Sequence, residues 1–271
     1  MIMKTTLSLI AVLLSVFAST GTYAQYVSNT EYDKEMFRAR INQVDEFIGR
    51  FNAAIADSAK NKEERLLALF DSEALGSPQS GQYTTAKTLV DSVLKNASEL
   101  NYSDTTWIAV ATCHGTFLKK PVDFTMFLNV EHQKDDMYKW VIANVSGEIF
   151  ELKSKDMEND IKILPHDHET NFMILRDITT LNTENILRFS QKQFSIDPAS
   201  VFYAYVKNKM LEVEYVSQLQ FIFFGVHGWQ FSIRYFNRPT KNAGWLIDTF
   251  APMSDADKDL FLNNFYRTKC R

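Results

Sequence analysis

The residues best suited to metal binding lie together in the sequence His166-Asp167-His168-Glu169. In an extended segment, His166 and His168 would point to the same side, and a neighbouring carboxylate could add an oxygen ligand. Such a set would suit zinc. A closed site needs a further ligand from elsewhere in the chain, however, and the sequence indicates none. We therefore favour a solvated linker, and we expect no cofactor.

Two other side chains are candidates for acid–base catalysis, His132 and Asp248. His132 is in register with Val130 on the apolar side of a predicted strand, where it could act as a general base in a pocket. A histidine at a strand end is more often partly exposed and structural, and we expect that role first. Asp248 interrupts an apolar strand, so burial would require a partner such as Tyr235 or Arg234.

The remaining charged residues of the predicted strands have simpler interpretations. Asp123 and Glu131 lie on the face opposite His132, where solvation is expected, and His227 lies in a glycine-flanked turn. No Gly-x-Ser-x-Gly sequence, glycine-rich phosphate loop or Cys/His pair with usable spacing occurs. The chain therefore carries no nucleophile or nucleotide-binding motif.

The elements that must position these residues are strands in two blocks. Apolar and polar side chains alternate over Val122–His132, which predicts a strand with one buried face. Trp107–Leu118 and Tyr138–Phe150 complete an antiparallel block of three strands, with Lys119-Lys120-Pro121 as its first turn. A second block, Leu211–Phe250, has the same layout.

A long amphipathic helix is predicted ahead of the first block. It begins near Asp33, and its apolar residues follow at steps of four and three, which places them on one side. These residues are Phe37, Ile41, Val44, Ile48, Phe51 and Ile55. We expect this stripe to cover the buried face of the Val122–His132 strand.

Capping signals indicate where other helices begin. Thr84 or Thr85 is expected to cap a helix before the first strands. Asp197, followed by a proline, combines a capping side chain with the residue favoured at the first helical position. Ser254, with Asp257 three residues later, predicts a last helix.

Helices followed by three strands occur twice, and this repetition indicates two units. We expect units at 25–150 and 166–271, joined by a linker at 151–165 whose first 12 residues include seven charged ones. Each is predicted to be an α+β unit with helices packed on a curved antiparallel sheet. The alternative is one continuous mixed domain.

The order of elements in Asp33–Phe150 resembles that of the NTF2-like (cystatin-like, cone-shaped) α+β domains, and the second half resembles them more loosely. The stripe from Phe37 to Ile55 and a last strand led by Trp140 carry this resemblance. It implies a curved sheet that wraps the first helix and leaves a pocket at its open end. The side chains that we expect to line the pocket are Phe124, Met126, Trp140, Trp229, Tyr235 and Trp245.

The N-terminal residues predict export. Lys4, the apolar run Leu7–Ala18 and the small-residue motif ending at Ala24 have the order of a secretory signal peptide, residues 1–24. We therefore expect a periplasmic or secreted protein. The apolar run has 12 residues, fewer than the roughly 20 needed to span a bilayer, and no other run is longer, so no transmembrane segment is predicted.

The net charge and the two cysteines limit the possible partners and disulfide bonds. The formal net charge of −4, without a dense basic cluster, argues against nucleic acid. An exported protein could join Cys113 to Cys270, but we favour two unpaired thiols.

Two functions remain for the chain. The first is an exported, non-catalytic protein that binds a protein partner or a small apolar ligand. NTF2-like domains include isomerases and dehydratases as well as binding domains, so the alternative is a pocket enzyme of that type that uses His132 or Asp248.

Overall fold

The computed structural model describes most of the chain between Val44 and Tyr266. The described residues belong to one compact unit, Arg38–Arg271. The first part of the predicted long helix, most of the linker, the His166 and His168 pair and Cys270 lie outside the described residues. The described ranges are 44–56, 58, 60–103, 106–132, 134, 138–151, 175–181, 183–191, 196–239 and 241–266.

In each half of the chain, helices precede three consecutive strands, as expected from the sequence. The first half contains α1 (Val44–Ile55), α2 (Lys62–Leu67), α3 (Ser72–Leu75), α4 (Gly81–Asn96), β1 (Trp107–Phe117), β2 (Lys120–His132), β3 (Tyr138–Ser146) and a 3-10 turn (Glu148–Phe150). The second contains α5 (Leu175–Leu181), a 3-10 helix (Thr183–Phe189), α6 (Pro198–Lys207), β4 (Leu211–Phe223), β5 (Trp229–Phe236), β6 (Gly244–Pro252) and α7 (Asp255–Tyr266).

All six strands form one antiparallel sheet, in the order β3-β2-β1-β4-β5-β6. The α+β class is therefore confirmed, but the expected pair of separate sheets is wrong. The two blocks join where β1 pairs with β4, from Trp107 opposite Phe223 to Phe117 opposite Leu211. Each block alone would leave the backbone groups along one edge of its first strand unpaired, and the join pairs these two edges with each other.

Helix α1 packs on the strands of the other half of the chain. Its Phe47 lies 5.9 Å from the Phe223 ring of β4, and its Phe51 stacks on Phe231 of β5 at 6.0 Å between ring centroids. The strand expected to receive this helix, β2, contributes Val130 to the same core. The described part of the apolar stripe, from Val44 to Ile55, is thus buried as predicted, mainly by β4 and β5 instead of β2.

At the other end of the same sheet face, a helix of the second half covers a strand of the first half. Phe202 of α6 packs near Phe124 of β2 and Phe150, with ring centroids 6.3 and 6.0 Å apart. The edge of β6 is covered from the first half as well, because Phe70 forms a bridge to Ile247. Each half of the chain therefore supplies helical segments that cover strands of the other.

The opposite face of the sheet is partly covered by α7. Phe261 of this helix lies 5.3 Å from Phe224, over a core that includes Ile108 and Ile222. Ser254 begins the helix as predicted, since its hydroxyl accepts a hydrogen bond from the Asp257 amide at 3.1 Å.

Two predicted boundaries shift. Ser80, and neither Thr84 nor Thr85, caps α4, because its hydroxyl accepts from the Tyr83 amide at 3.1 Å. The first turn consists of Leu118 and Lys119 alone, and Lys120 already lies in β2. By contrast, Asp197 caps α6 as expected.

None of the helices within the described ranges is both long enough and apolar enough to cross a bilayer.

Candidate functional site

The six predicted pocket residues lie within the cores under the helices or packed against them. The Trp245 ring contacts Phe221 and Tyr235, with centroids 5.1 and 5.6 Å apart. Trp140 packs edge-on against Trp107 at 5.4 Å. Trp229 is buried in the same core, whereas Phe124 and Met126 belong to the neighbouring core beneath α6. Their assignment to a ligand pocket stays a prediction.

A shallow cavity opens beside the turn between β4 and β5. Its volume is about 160 Å³, below the roughly 300 Å³ at which pockets for small-molecule ligands begin. Trp229 and Met253 line it on one side, and the exposed side chains of His227 and Asp255 lie on another, with Nδ1 and Oδ1 3.9 Å apart. It is large enough for a few water molecules or a small ion.

Asp248 lies in a polar network on the sheet face opposite α1. A register shift beside Ser232 brings Asp248 onto this face together with Thr249. Gln220 donates to the Ser232 hydroxyl at 2.7 Å, and that hydroxyl donates to Asp248 Oδ1 at 2.7 Å. The Arg234 guanidinium pairs with the other carboxylate oxygen. The network ties β4, β5 and β6 together through side chains.

Burial dominates the electrostatics of Asp248. Only 4% of its side chain is exposed, and this desolvation raises the pKa of the carboxyl, although Arg234 and Ser232 act in the opposite direction. Arg234 is thus one of the two partners that the sequence suggested. Such a carboxyl could hold a proton, but its use in catalysis stays a prediction.

The other predicted chemical residues are only partly described. His132 ends β2 opposite Tyr138, and its side chain lies outside the described residues. Among the side chains that are described, no three from His, Cys, Asp and Glu come together in a metal-binding arrangement. His166 and His168 remain weak metal candidates from the sequence alone.

A row of three side chains on the second sheet face was missed by the sequence reasoning. His114 pairs through Nδ1 with Asp123 of β2, and its ring stacks on Tyr215 of β4 with centroids 4.7 Å apart. Both neighbours lie directly opposite His114 in the sheet. Because Leu118 and Lys119 form the turn, residues of β1 and β2 whose numbers sum to 237 face each other. A correctly placed turn would therefore have identified the pairing of His114 with Asp123.

The one cysteine described, Cys113, is buried and unpaired. Desolvation raises the pKa of its thiol to about 11, which keeps it protonated and unreactive at neutral pH. The unpaired thiol agrees with the interpretation that we favoured.

Exposed apolar and basic residues collect where two turns meet at one end of the sheet. Leu118, in the β1–β2 turn, donates its amide to the carbonyl of Met210, in the α6–β4 turn, at 2.8 Å. We call residues 118–120 and 206–210 the two-turn surface. Leu118 is 57% exposed there and Val206 42%. Their exposed neighbours are Lys119, Lys120, Lys207 and Lys209.

The backbone of the two-turn surface is strained. Leu118, Lys119 and Lys209 have φ angles of 49°, 67° and 56°. The left-handed region disfavours residues with a Cβ by about 1–2 kcal/mol each. Glycine or asparagine would occupy these positions more easily.

Similarity to known proteins adds nothing to this geometry. No protein-family model, no curated protein and no solved structure matches the chain. The structure shows an antiparallel sheet with helices, and the NTF2-like assignment stays a prediction from the order of the elements.

Proposed function

We propose that this chain is an exported, non-catalytic binding protein that recognises its partner on its surface. The observation that carries the proposal is the ring network between α1 and the sheet. Phe47, Phe51, Phe223 and Phe231 contact one another there, with centroid distances from 5.1 to 6.4 Å.

These rings fill the space between α1 and strands β4 and β5. A ligand could enter only by displacing a ring, and emptying a buried phenylalanine site typically destabilises a protein by about 3–5 kcal/mol. The packing therefore favours recognition outside the core. The alternative, an isomerase or dehydratase that uses Asp248 or His132, would require a cavity at those residues.

Exposed apolar side chains supply the surface for such recognition. Leu118, Tyr203, Val206 and Val213 are all exposed, and they lie on the β1–β2 turn, on α6 and at the start of β4. Large apolar side chains that share an exposed region often mark a contact site for another molecule. The proposal therefore assigns binding to this end of the sheet.

An apolar fluorescent dye such as anilinonaphthalene sulfonate distinguishes surface binding from an interior pocket. We expect weak dye binding that falls in a Leu118→Asn, Val206→Ser variant and is unchanged in a Trp140→Phe variant. Tight, stoichiometric binding that is insensitive to the surface substitutions would instead indicate an interior pocket and refute the proposal. N-terminal sequencing of chain recovered from the periplasm or medium tests export, with Gln25 as the expected first residue.

A further inference from the structure

We infer that the two-turn surface docks on the anionic headgroups of a lipid bilayer, with Leu118 and Val206 entering the headgroup region. The inference rests on the proposed function, because it names a partner for one part of the surface described there, the two-turn surface. Charge, backbone conformation and residue type support it separately.

The charge of the two-turn surface is opposite to that of the whole chain. Residues 118–120 and 206–210 contain four lysines and no acidic residue, in a chain with a formal net charge of −4. All four lysines are exposed and lie within three residues of the exposed Leu118 or Val206 in the sequence, so cations and apolar side chains share these two turns. Anionic leaflets attract such basic segments, and apolar side chains beside them can enter the interface.

The strained backbone indicates that these residues serve something other than folding. Five non-glycine residues have positive φ in the described part of the chain, and three of them are Leu118, Lys119 and Lys209. Two-residue hairpin turns of this handedness prefer asparagine and glycine. A leucine and a lysine in that hairpin turn, and a lysine just past the end of α6, conflict with the local conformation, a conflict that is common at functional sites.

Residue type favours a bilayer over a protein partner. Protein interfaces are enriched in aromatic residues and arginine, and lysine is depleted there. The two-turn surface instead presents lysine, whose strongly hydrated ammonium suits a wet layer of phosphates. Its two adjacent turns carry aliphatic side chains that need only a shallow apolar layer.

Co-sedimentation with vesicles tests the inference. We expect the full chain to bind vesicles of phosphatidylglycerol mixed with phosphatidylcholine, to ignore pure phosphatidylcholine, and to dissociate as salt is added. Each lysine near an anionic surface contributes about a fivefold change in partitioning. A Lys119→Gln, Lys209→Gln variant should therefore bind about 25-fold more weakly. Glutamine leaves the backbone strain unchanged.

Two controls separate docking from general charge and from misfolding. A Lys60→Gln, Lys95→Gln variant changes the net charge equally at exposed positions elsewhere, and it should stay within about twofold of wild type. Leu118→Asn should lower partitioning about tenfold, through lost apolar contact, while raising thermal stability.

Three results would overturn the inference. They are equal binding to neutral and anionic vesicles, equal loss in both lysine variants, and binding to polyglutamate without binding to vesicles. The last would assign the surface to an acidic protein and leave the proposed function intact. Uptake of dye into the core would instead refute the proposed function, whatever the vesicles show.

Discussion

Gly115 is the position where one added methyl group should do the most damage. It lies in β1 beside a bulge in β4, where the register shifts between His114 and Gly115. A Cβ at this position would meet the carbonyl oxygen of Glu212 at 2.1 Å and the Val213 Cα at 3.3 Å. Both are backbone atoms, so no side chain can rotate away.

The expected loss follows from that distance. Carbon and oxygen atoms in ordinary contact stay well over 3 Å apart, so β1 and β4 would have to separate by about 1 Å. Overpacked core positions typically lose about 1–3 kcal/mol even where side chains can adjust. The Gly115 clash is with backbone atoms, in the strand pair that joins the two blocks. We therefore expect Gly115→Ala to lower the free energy of unfolding by at least about 3 kcal/mol.

Gly49→Ala is the matched control. Gly49 is an exposed helical residue, and a Cβ there meets nothing within 4 Å. Alanine in a helix is favoured over glycine by about 1 kcal/mol, so this variant should be more stable than wild type. The same chemical change thus has opposite expected signs at the two positions.

Urea unfolding followed by tryptophan fluorescence and circular dichroism measures both variants. The midpoints should move in opposite directions from wild type. A Gly115→Ala variant within about 0.5 kcal/mol of wild type would refute the close β1–β4 approach, because surface changes have effects of that size.

Four further outcomes are expected. Lys119→Gly should raise the free energy of unfolding by about 1 kcal/mol in urea titrations, because glycine tolerates the positive φ. Asp197→Ala should lower it by about 1 kcal/mol, because the carboxylate no longer caps α6. In a Cys270→Ser variant, Cys113 should react with a thiol reagent at pH 8 only after denaturant is added. Because burial raises the folded-state pKa of Asp248, the free energy of unfolding should fall as the pH rises from about 4 through that pKa. Asp248→Asn should lose this slope when unfolding is measured across the same pH range.

Each of these predictions would be contradicted by a specific result. A less stable Lys119→Gly variant would contradict the left-handed turn, and an unchanged Asp197→Ala variant would contradict the cap. Rapid labelling of native Cys113 would contradict its burial. An identical pH slope with and without Asp248 would mean that another group titrates in that range.

Local patterns predicted the individual elements well. Alternation placed the strands within a few residues, because a half-buried strand must sort its side chains by face. Asp197 and Ser254 were recognisable because capping depends on residues adjacent in sequence. Ser80 was missed, since the glycine that follows it, Gly81, is more typical of a loop than of a helix start.

Long-range pairing was not predictable in the same way. Whether β1 joins β4 depends on backbone groups that every residue carries, so no side-chain pattern identifies the neighbour. The stripe on α1 likewise shows that a face is buried but not which strands bury it. The Asp248 partner was accessible from sequence, because Arg234 is one of few nearby cations with the same strand alternation.

The exchange of helices between halves has a consequence for biosynthesis. Residues up to Ser146 complete three strands, yet Phe202 of α6, which covers Phe124, is made more than fifty residues later. Until then, the apolar surface around Phe124 would remain uncovered in a nascent chain. Fragments cut near the linker should accordingly aggregate when alone and rescue each other's solubility when produced together.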